Sequence, residues 1–310
     1  MSARRCAGKE THIVAPHDEH EPPPTGPNGP AGLDPIPVAR KIDRAVLSAV
    51  LPPPHPMLLL QSSKKSITVD ILLFFVLIFM AVFLLPGLLA EGFLVIFGQP
   101  LHGEPTLDEV ALGRRLFLPA IVMRAGASLL VIWALLGVRR LSFRSVGLSG
   151  GAFWGDLGVG VLATGACFLM TWTWMLLIHM WWPHLLPQAD ENVQRLLDRV
   201  PRMGLGTVLL VAVLVGWYEE ILFRGFLMTR LRRLSGSWVV GVVVSATVFT
   251  LPHLLDQTPI MMGVVGSLAL IFSLTTIWRR SIIPAIVGHT LFNFFQFIGL
   301  FYVVAPRGTP

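Results

Sequence analysis

An all-α, polytopic transmembrane helical bundle of about seven spans, preceded by a disordered N-terminal tail, is the fold class this sequence predicts. Three observations carry that expectation. Apolar residues make up 54% of the 310-residue chain and charged residues only 14%, whereas a water-soluble domain has roughly a quarter of its residues charged. Mean hydropathy is +0.69, and the apolar residues are gathered into runs near the ~20 residues a bilayer core requires of a helix. The first 65 residues are a different material: twelve of the 24 prolines fall between Pro16 and Pro56, which no packed core accommodates.

Residues 1–65 therefore read as a disordered, proline-rich cytoplasmic tail. Within it, Ala39 to Leu51 is the one stretch with helical spacing, setting Ile42, Val46 and Val50 on one side as a membrane-surface contact. Met1 to Glu21 contains no apolar core of a signal peptide. Residues 66–310 form the transmembrane domain, with apolar runs at 68–97, 116–138, 152–182, 204–229, 237–255, 260–278 and 281–304. The third is long enough to be tilted or broken. Backbone polar groups cannot go unpaired in lipid, and the alternation of a β-barrel is absent, so these runs are helices.

The basic residues set the orientation. Lys64 and Lys65 precede the first run; Arg139, Arg140 and Arg144 follow the second, Arg230, Arg232 and Arg233 the fourth, Arg279 and Arg280 the sixth. With seven spans all four clusters fall on one side, which places the N-terminus in the cytoplasm. The opposing segments, 98–115 and 183–203, carry acids among their arginines. A net charge of +6 does not imply nucleic acid here, because the arginines alternate with apolar runs instead of forming a patch on a soluble fold. Cys6 and Cys167 lie far apart in unlike surroundings and support neither a disulfide framework nor a cysteine metal site.

Charge in lipid costs a few kcal/mol on even lenient insertion scales. Asp70, Glu91 and Asp156 stand near run ends and read as solvated interfacial carboxylates; His102, His179 and His184 read as solvated or interfacial. Glu219, Glu220 and Arg224 lie well inside an apolar run and require a polar cavity with partners. Glu220 and Arg224 are four apart and share a helix face, with the acid N-terminal in the favourable order. Glu219 points about 100° away, which leaves it free for another task. A structural ion pair with a spare acid is the plain alternative. His253 ends Phe249-Thr250-Leu251-Pro252-His253 in the fifth run, and His289 and Asn293 are stacked one turn apart in the seventh.

These residues carry a resemblance. The sequence resembles the CAAX protease and bacteriocin-processing (CPBP, or Abi) family of intramembrane endopeptidases, relatives of the type II CAAX prenyl endopeptidase. That family's pattern is Glu-Glu-x-x-x-Arg, then Phe-x-x-x-His, then His-x-x-x-Asn or Asp on successive helices. It stands here as Glu219-Glu220 with Arg224, Phe249 with His253, and His289 with Asn293, over a motif core at 200–305. Gly225 and Ile283-Pro284 match as lesser traits, and Leu141-Ser142-Phe143 with Gly147-Leu148 is also family-like.

The resemblance implies a glutamate-type endopeptidase acting on a membrane-associated peptide or protein in the bilayer, with no nucleic-acid partner. The expected location is the bacterial inner (plasma) membrane. Peptide hydrolysis needs an activated water and a stabilised oxyanion. Glu219 is the base, His253 helps to hold and polarise the water, and His289 with Asn293 suits the oxyanion; Glu220 and Arg224 orient the site. No cofactor is expected. Glu, His and His are a conceivable zinc set, but the paired His-Glu-x-x-His helix is absent, and the family archetype is metal-free. Straight spans set His253, Glu219 and His289 at different depths, spread over roughly 15 Å at 1.5 Å per residue. A non-proteolytic immunity or partner-binding protein on the same scaffold is the alternative, and a transporter or proton relay stands third.

Overall fold

The computed structural model describes residues 63–80, 109–148, 152–255 and 257–304. The tail and its short Ala39–Leu51 helix, the second half of the 68–97 run, Glu91 and His102 lie outside the described residues. All regular structure among the described residues is helical. Helix α1 is Lys64–Phe79, started by Ser63, whose hydroxyl accepts from the Ser66 amide at 3.2 Å. Helix α2 is Glu109–Val138, α3 Phe153–Trp181, α4 Leu186–Arg199 and α5 Leu205–Glu220. A π-helical stretch, Ile221–Met228, joins α5 to α6 at Thr229–Ser235. Helix α7 is Trp238–Thr250, α8 Met261–Arg279 and α9 Ile283–Ile298.

Among the described residues, six helical stretches are long and apolar enough to cross a membrane: 114–138, 153–181, 205–235, 238–255, 261–279 and 283–304. They match six of the seven runs; of the first, only α1 is described. The third is one unbroken helix of 29 residues. The apolar side chains Leu72, Leu130, Leu162, Trp172 and Val239 are more than half exposed. That pattern would be untenable in water, but it is what a lipid solvent allows, since hydrocarbon solvates such side chains as well as a protein core does. The protein is an integral membrane protein.

Small residues set the helix spacing inside the bundle. Helix α9 packs most extensively on α3 and α5. At Gly160 of α3 a Cβ would come within 2.6 Å of the Val287 Cβ and 2.9 Å of the Pro284 carbonyl. At Gly216 of α5 it would lie 2.7 Å from the Thr290 hydroxyl and 3.0 Å from its amide. Without a driving force from water, close backbone approach of this kind is what holds membrane helices together. One apolar core joins Phe74 of α1, Ile132 and Leu136 of α2, and Ile221, Leu222 and Phe226 of the π stretch. Another joins Cys167 of α3, Leu268 and Phe272 of α8, and Ala285 and Phe292 of α9.

Two expectations from the sequence are corrected. Asp70 and Asp156 are buried, not solvated: Asp70 pairs with Arg139 at 2.7 Å and Asp156 with Arg279 at 2.8 Å. Each carboxylate is thereby compensated as it leaves water. The charged 183–203 segment holds helix α4, which is strongly amphipathic. Arg114 caps its C-terminal carbonyls, donating to Asp198 O at 2.9 Å and Leu197 O at 3.1 Å. Its buried Asn192 accepts from the Thr258 amide at 3.1 Å.

Candidate active site

The Glu-Glu-Arg set sits where α5 gives way to the π stretch. A π-helix closes i→i+5 rings and is rarely longer than one turn; such stretches concentrate at functional sites. Here side chains take up carbonyls within it: Ser245 donates to Phe223 O at 2.9 Å and Thr229 to Gly225 O at 2.7 Å. Arg224 projects into the bundle from this stretch and is 1% exposed. It donates to Glu220 Oε1 at 2.8 Å and to the Ala269 carbonyl at 3.1 Å. Its guanidinium lies 4.5 Å from the Phe249 ring centroid and 5.6 Å from that of Phe272, so the charge is held by a carboxylate, a carbonyl and two aromatic faces.

His289 joins the two glutamates. Its Nδ1 lies 2.8 Å from Glu220 Oε1, and its Nε2 lies 3.8 Å from Glu219 Oε2. The ring stacks on Phe272, with centroids 5.3 Å apart and planes 19° from parallel. Because Glu220 is paired with Arg224 and only accepts, the His289 Nδ1 carries the donated proton. Glu220 Oε1 thus receives two donors, while its buried Oε2 has no hydrogen-bond partner. Glu219 stands apart as the helical arithmetic requires. Its Oε1 accepts from the Tyr218 hydroxyl at 3.0 Å, and its side chain keeps 15% exposure.

The depth spread expected from straight spans fails for His289. Thr290 rests against Gly216, so α9 meets the last turn of α5 in register and His289 lies level with the glutamates. His253 is reached differently. Helix α7 ends at Thr250, and Leu251–Leu255 forms a 3-10 turn containing Pro252, a residue that cannot continue the helical ladder. His253 Nδ1 lies 3.0 Å from Phe249 O; a carbonyl only accepts, so Nδ1 donates and the neutral ring's Nε2 carries a lone pair. The ring packs 5.0 Å from Phe249, whose own ring is 6.1 Å from His289. His253 is therefore one aromatic ring away from the cluster and forms no hydrogen bond to Glu219. Asn293 follows His289 by one turn of α9, half-buried, and its carboxamide is uncommitted among the described residues.

The site also contains groups that the sequence reading passed over. Tyr218 is buried beside Glu219 and supplies that carboxylate's only hydrogen bond among the described residues. Phe272 forms the floor under His289. Arg124 stands near the middle of the 114–138 span, and its buried Nε is unpartnered among the described residues. The charge-in-lipid test that singled out Glu219 and Glu220 would have found it. No group of three His, Cys, Asp or Glu side chains among the described residues is arranged to hold a metal ion. A separate cavity of about 370 Å³, lined by Arg202, Met203, Gly204, Phe301 and Tyr302, lies at the opposite end of α5 and contributes nothing to the cluster.

A helical membrane bundle with two glutamates, an arginine and a histidine gathered inside it is the class of protein that fold and site define. Comparison adds a similarity over part of the chain. Residues 201–295 match the family model described as type II CAAX prenyl endopeptidase Rce1-like, the same family group that the three motifs resemble. The matched segment runs from the start of α5 into α9 and so contains all six motif residues. No curated protein matches the chain, and no solved structure does.

Proposed function

We propose that this protein is an intramembrane endopeptidase that hydrolyses a peptide bond in a membrane-associated peptide or protein. The observation that carries the reading is the unequal treatment of two adjacent carboxylates. Glu220 is locked by Arg224 and His289 at 2.8 Å each, whereas Glu219 has one hydroxyl partner and a second oxygen facing His289 at 3.8 Å. A carboxylate tied to a guanidinium is a poor base; an ionised one with a free oxygen in a water-poor site is a good one.

In this reading Glu219 Oε2 takes a proton from a water whose other hydrogen is accepted by His253 Nε2. The water oxygen attacks the scissile carbonyl carbon, and the C–N bond breaks as Glu219 returns the proton to the leaving amine. The Asn293 amide and the Nε2–H of His289 donate to the oxyanion. Since His289 already donates through Nδ1, the second donation requires the imidazolium. Two carboxylates, one guanidinium and one imidazolium then sum to zero charge, which suits a site inside a membrane. Donation from His289 to the oxyanion and ligation of a metal are mutually exclusive, so the proposed chemistry is metal-free. The proposed location is the bacterial inner membrane, with the N-terminus in the cytoplasm, a reading that the basic clusters support.

The test is Glu219→Gln in purified protein and in cells. The expected outcome is loss of turnover with unchanged helicity and melting, together with one precursor accumulating in the membrane proteome. Turnover at the parental rate in the purified variant would end the glutamate mechanism.

A further inference from the structure

Charge balances at one junction of the bundle and fails to balance at another. Between α3 and α8, buried Asp156 is paired with Arg279. Where α1, α2 and α6 meet, one carboxylate among the described residues, Asp70, stands with Arg139, Arg230 and Arg233. Asp70 Oδ1 is already taken by Arg139, through Nε at 2.8 Å and Nη2 at 2.7 Å, and that Nη2 also donates to Ser66 O. Arg230 is only 3% exposed, yet it forms no ion pair among the described residues. Its guanidinium lies 3.9 Å from the Phe226 ring centroid and donates to Thr229 Oγ1 at a long 3.3 Å. Arg233 beside it has a buried Nε with no acceptor. Asp70 and Arg233 both act electrostatically on Arg230, so the four groups form one neighbourhood with a surplus of two positive charges.

The depth of this cluster follows from the helices that build it. Arg139 immediately follows the 114–138 span, and α1 begins at Lys64, less than two turns before Asp70. Arg230 and Arg233 belong to the last turns of the continuous 205–235 helix. At about 1.5 Å per residue that helix is about 45 Å long, against a hydrocarbon thickness of about 30 Å, so its end reaches headgroup level. A buried guanidinium requires an anion or a strong acceptor, and the planar donor fork of arginine fits phosphate oxygens. At this depth the phosphate on offer is that of a lipid.

We propose that Arg230 and Arg233, flanked by the Arg139–Asp70 pair, bind the phosphate of an anionic phospholipid. The surplus of two positive charges selects a headgroup of net negative charge, such as phosphatidylglycerol, over a zwitterionic one. The site is structurally independent of the Glu219 cluster and stands whether or not the peptidase reading does.

The test uses the full-length protein in a non-ionic detergent, titrated with short-chain phosphatidylglycerol, short-chain phosphatidylcholine or inorganic phosphate, with binding read by native mass spectrometry and melting temperature. Saturable binding of phosphatidylglycerol, at least tenfold tighter than phosphatidylcholine or phosphate, is expected. Arg233→Gln, half-buried and thus less exposed to misfolding than Arg230→Gln, should weaken it at least tenfold. Arg144→Gln, an exposed arginine of the same basic side, should leave it unchanged. Equal binding of the two lipids, or unaltered binding to Arg233→Gln, would overturn the proposal. So would an equal loss in Arg144→Gln, which would indicate a diffuse field. Phosphate binding as tight as the lipid would move the assignment to a soluble anion.

Discussion

Replacing Glu220 by Gln removes one charge from the most enclosed ion pair among the described residues. Glu220 is 0% exposed and Arg224 1%, so no water enters to take the place of the carboxylate. The isosteric amide still accepts from His289 and from Arg224, but the guanidinium loses the only counter-charge within hydrogen-bonding distance among the described residues. What remains is the Ala269 carbonyl and two aromatic faces. Breaking a buried pair by removing one partner costs about 3–5 kcal/mol, and for a domain of this size each kcal/mol moves the midpoint by about 2–4 °C. The unfolding midpoint in detergent should therefore fall by about 6–20 °C. Arg224→Met in the Glu220→Gln background should recover a large part of that loss, because the orphaned charge is removed along with its partner. The assay is thermal unfolding of the four proteins of the cycle, followed by circular dichroism. A single variant within 1 °C of the parent, or a double variant less stable than the Glu220→Gln single, would refute the reasoning that the pair is held by mutual compensation.

Further outcomes follow from the same geometry. Tyr218→Phe deletes the hydroxyl at 3.0 Å from Glu219 and should slow turnover by about tenfold, within what a hydrogen bond to a charged group supplies, with melting little changed; steady-state kinetics on one peptide substrate decides it. Gly160→Val forces a side chain into Val287 and the Pro284 carbonyl. Overpacking of that kind costs about 1–3 kcal/mol, and because it displaces α9 it should remove activity along with stability, whereas Gly158→Val, beside open space, should do neither. Activity should survive chelation and ignore added zinc, and metal analysis of active protein should find less than stoichiometric metal; stoichiometric zinc lost together with activity in His289→Ala would reverse that.

What was legible in the sequence was whatever is local. Six apolar runs became the six spanning stretches because length and hydropathy alone decide insertion. Glu220 and Arg224 share a face, and Glu219 leaves it, because 3.6 residues per turn leaves no choice. What escaped was long-range. Asp70 and Asp156 looked solvated because their partners, Arg139 and Arg279, stand far along the chain. Helix α4 was hidden in a charged segment whose amphipathic period was not weighed against its polarity. The depth of His289 could not be read from straight spans, since it depends on α9 docking against Gly216, a contact that no run of residues announces. Arg124 alone was missed for no physical reason: a charge at mid-span is visible in the primary structure.

The close seams around α9 restrict how a reactant arrives. Where backbones touch through Gly160 and Gly216 there are no side chains to swing aside, so parting α9 from α3 or α5 would mean moving whole helices against their full packing. Neither seam can serve as a door. On the proposed function, a peptide diffusing in the plane of the bilayer would approach the glutamates from another sector of the perimeter, and the rigidity that holds His289 in register would also fix the direction of entry.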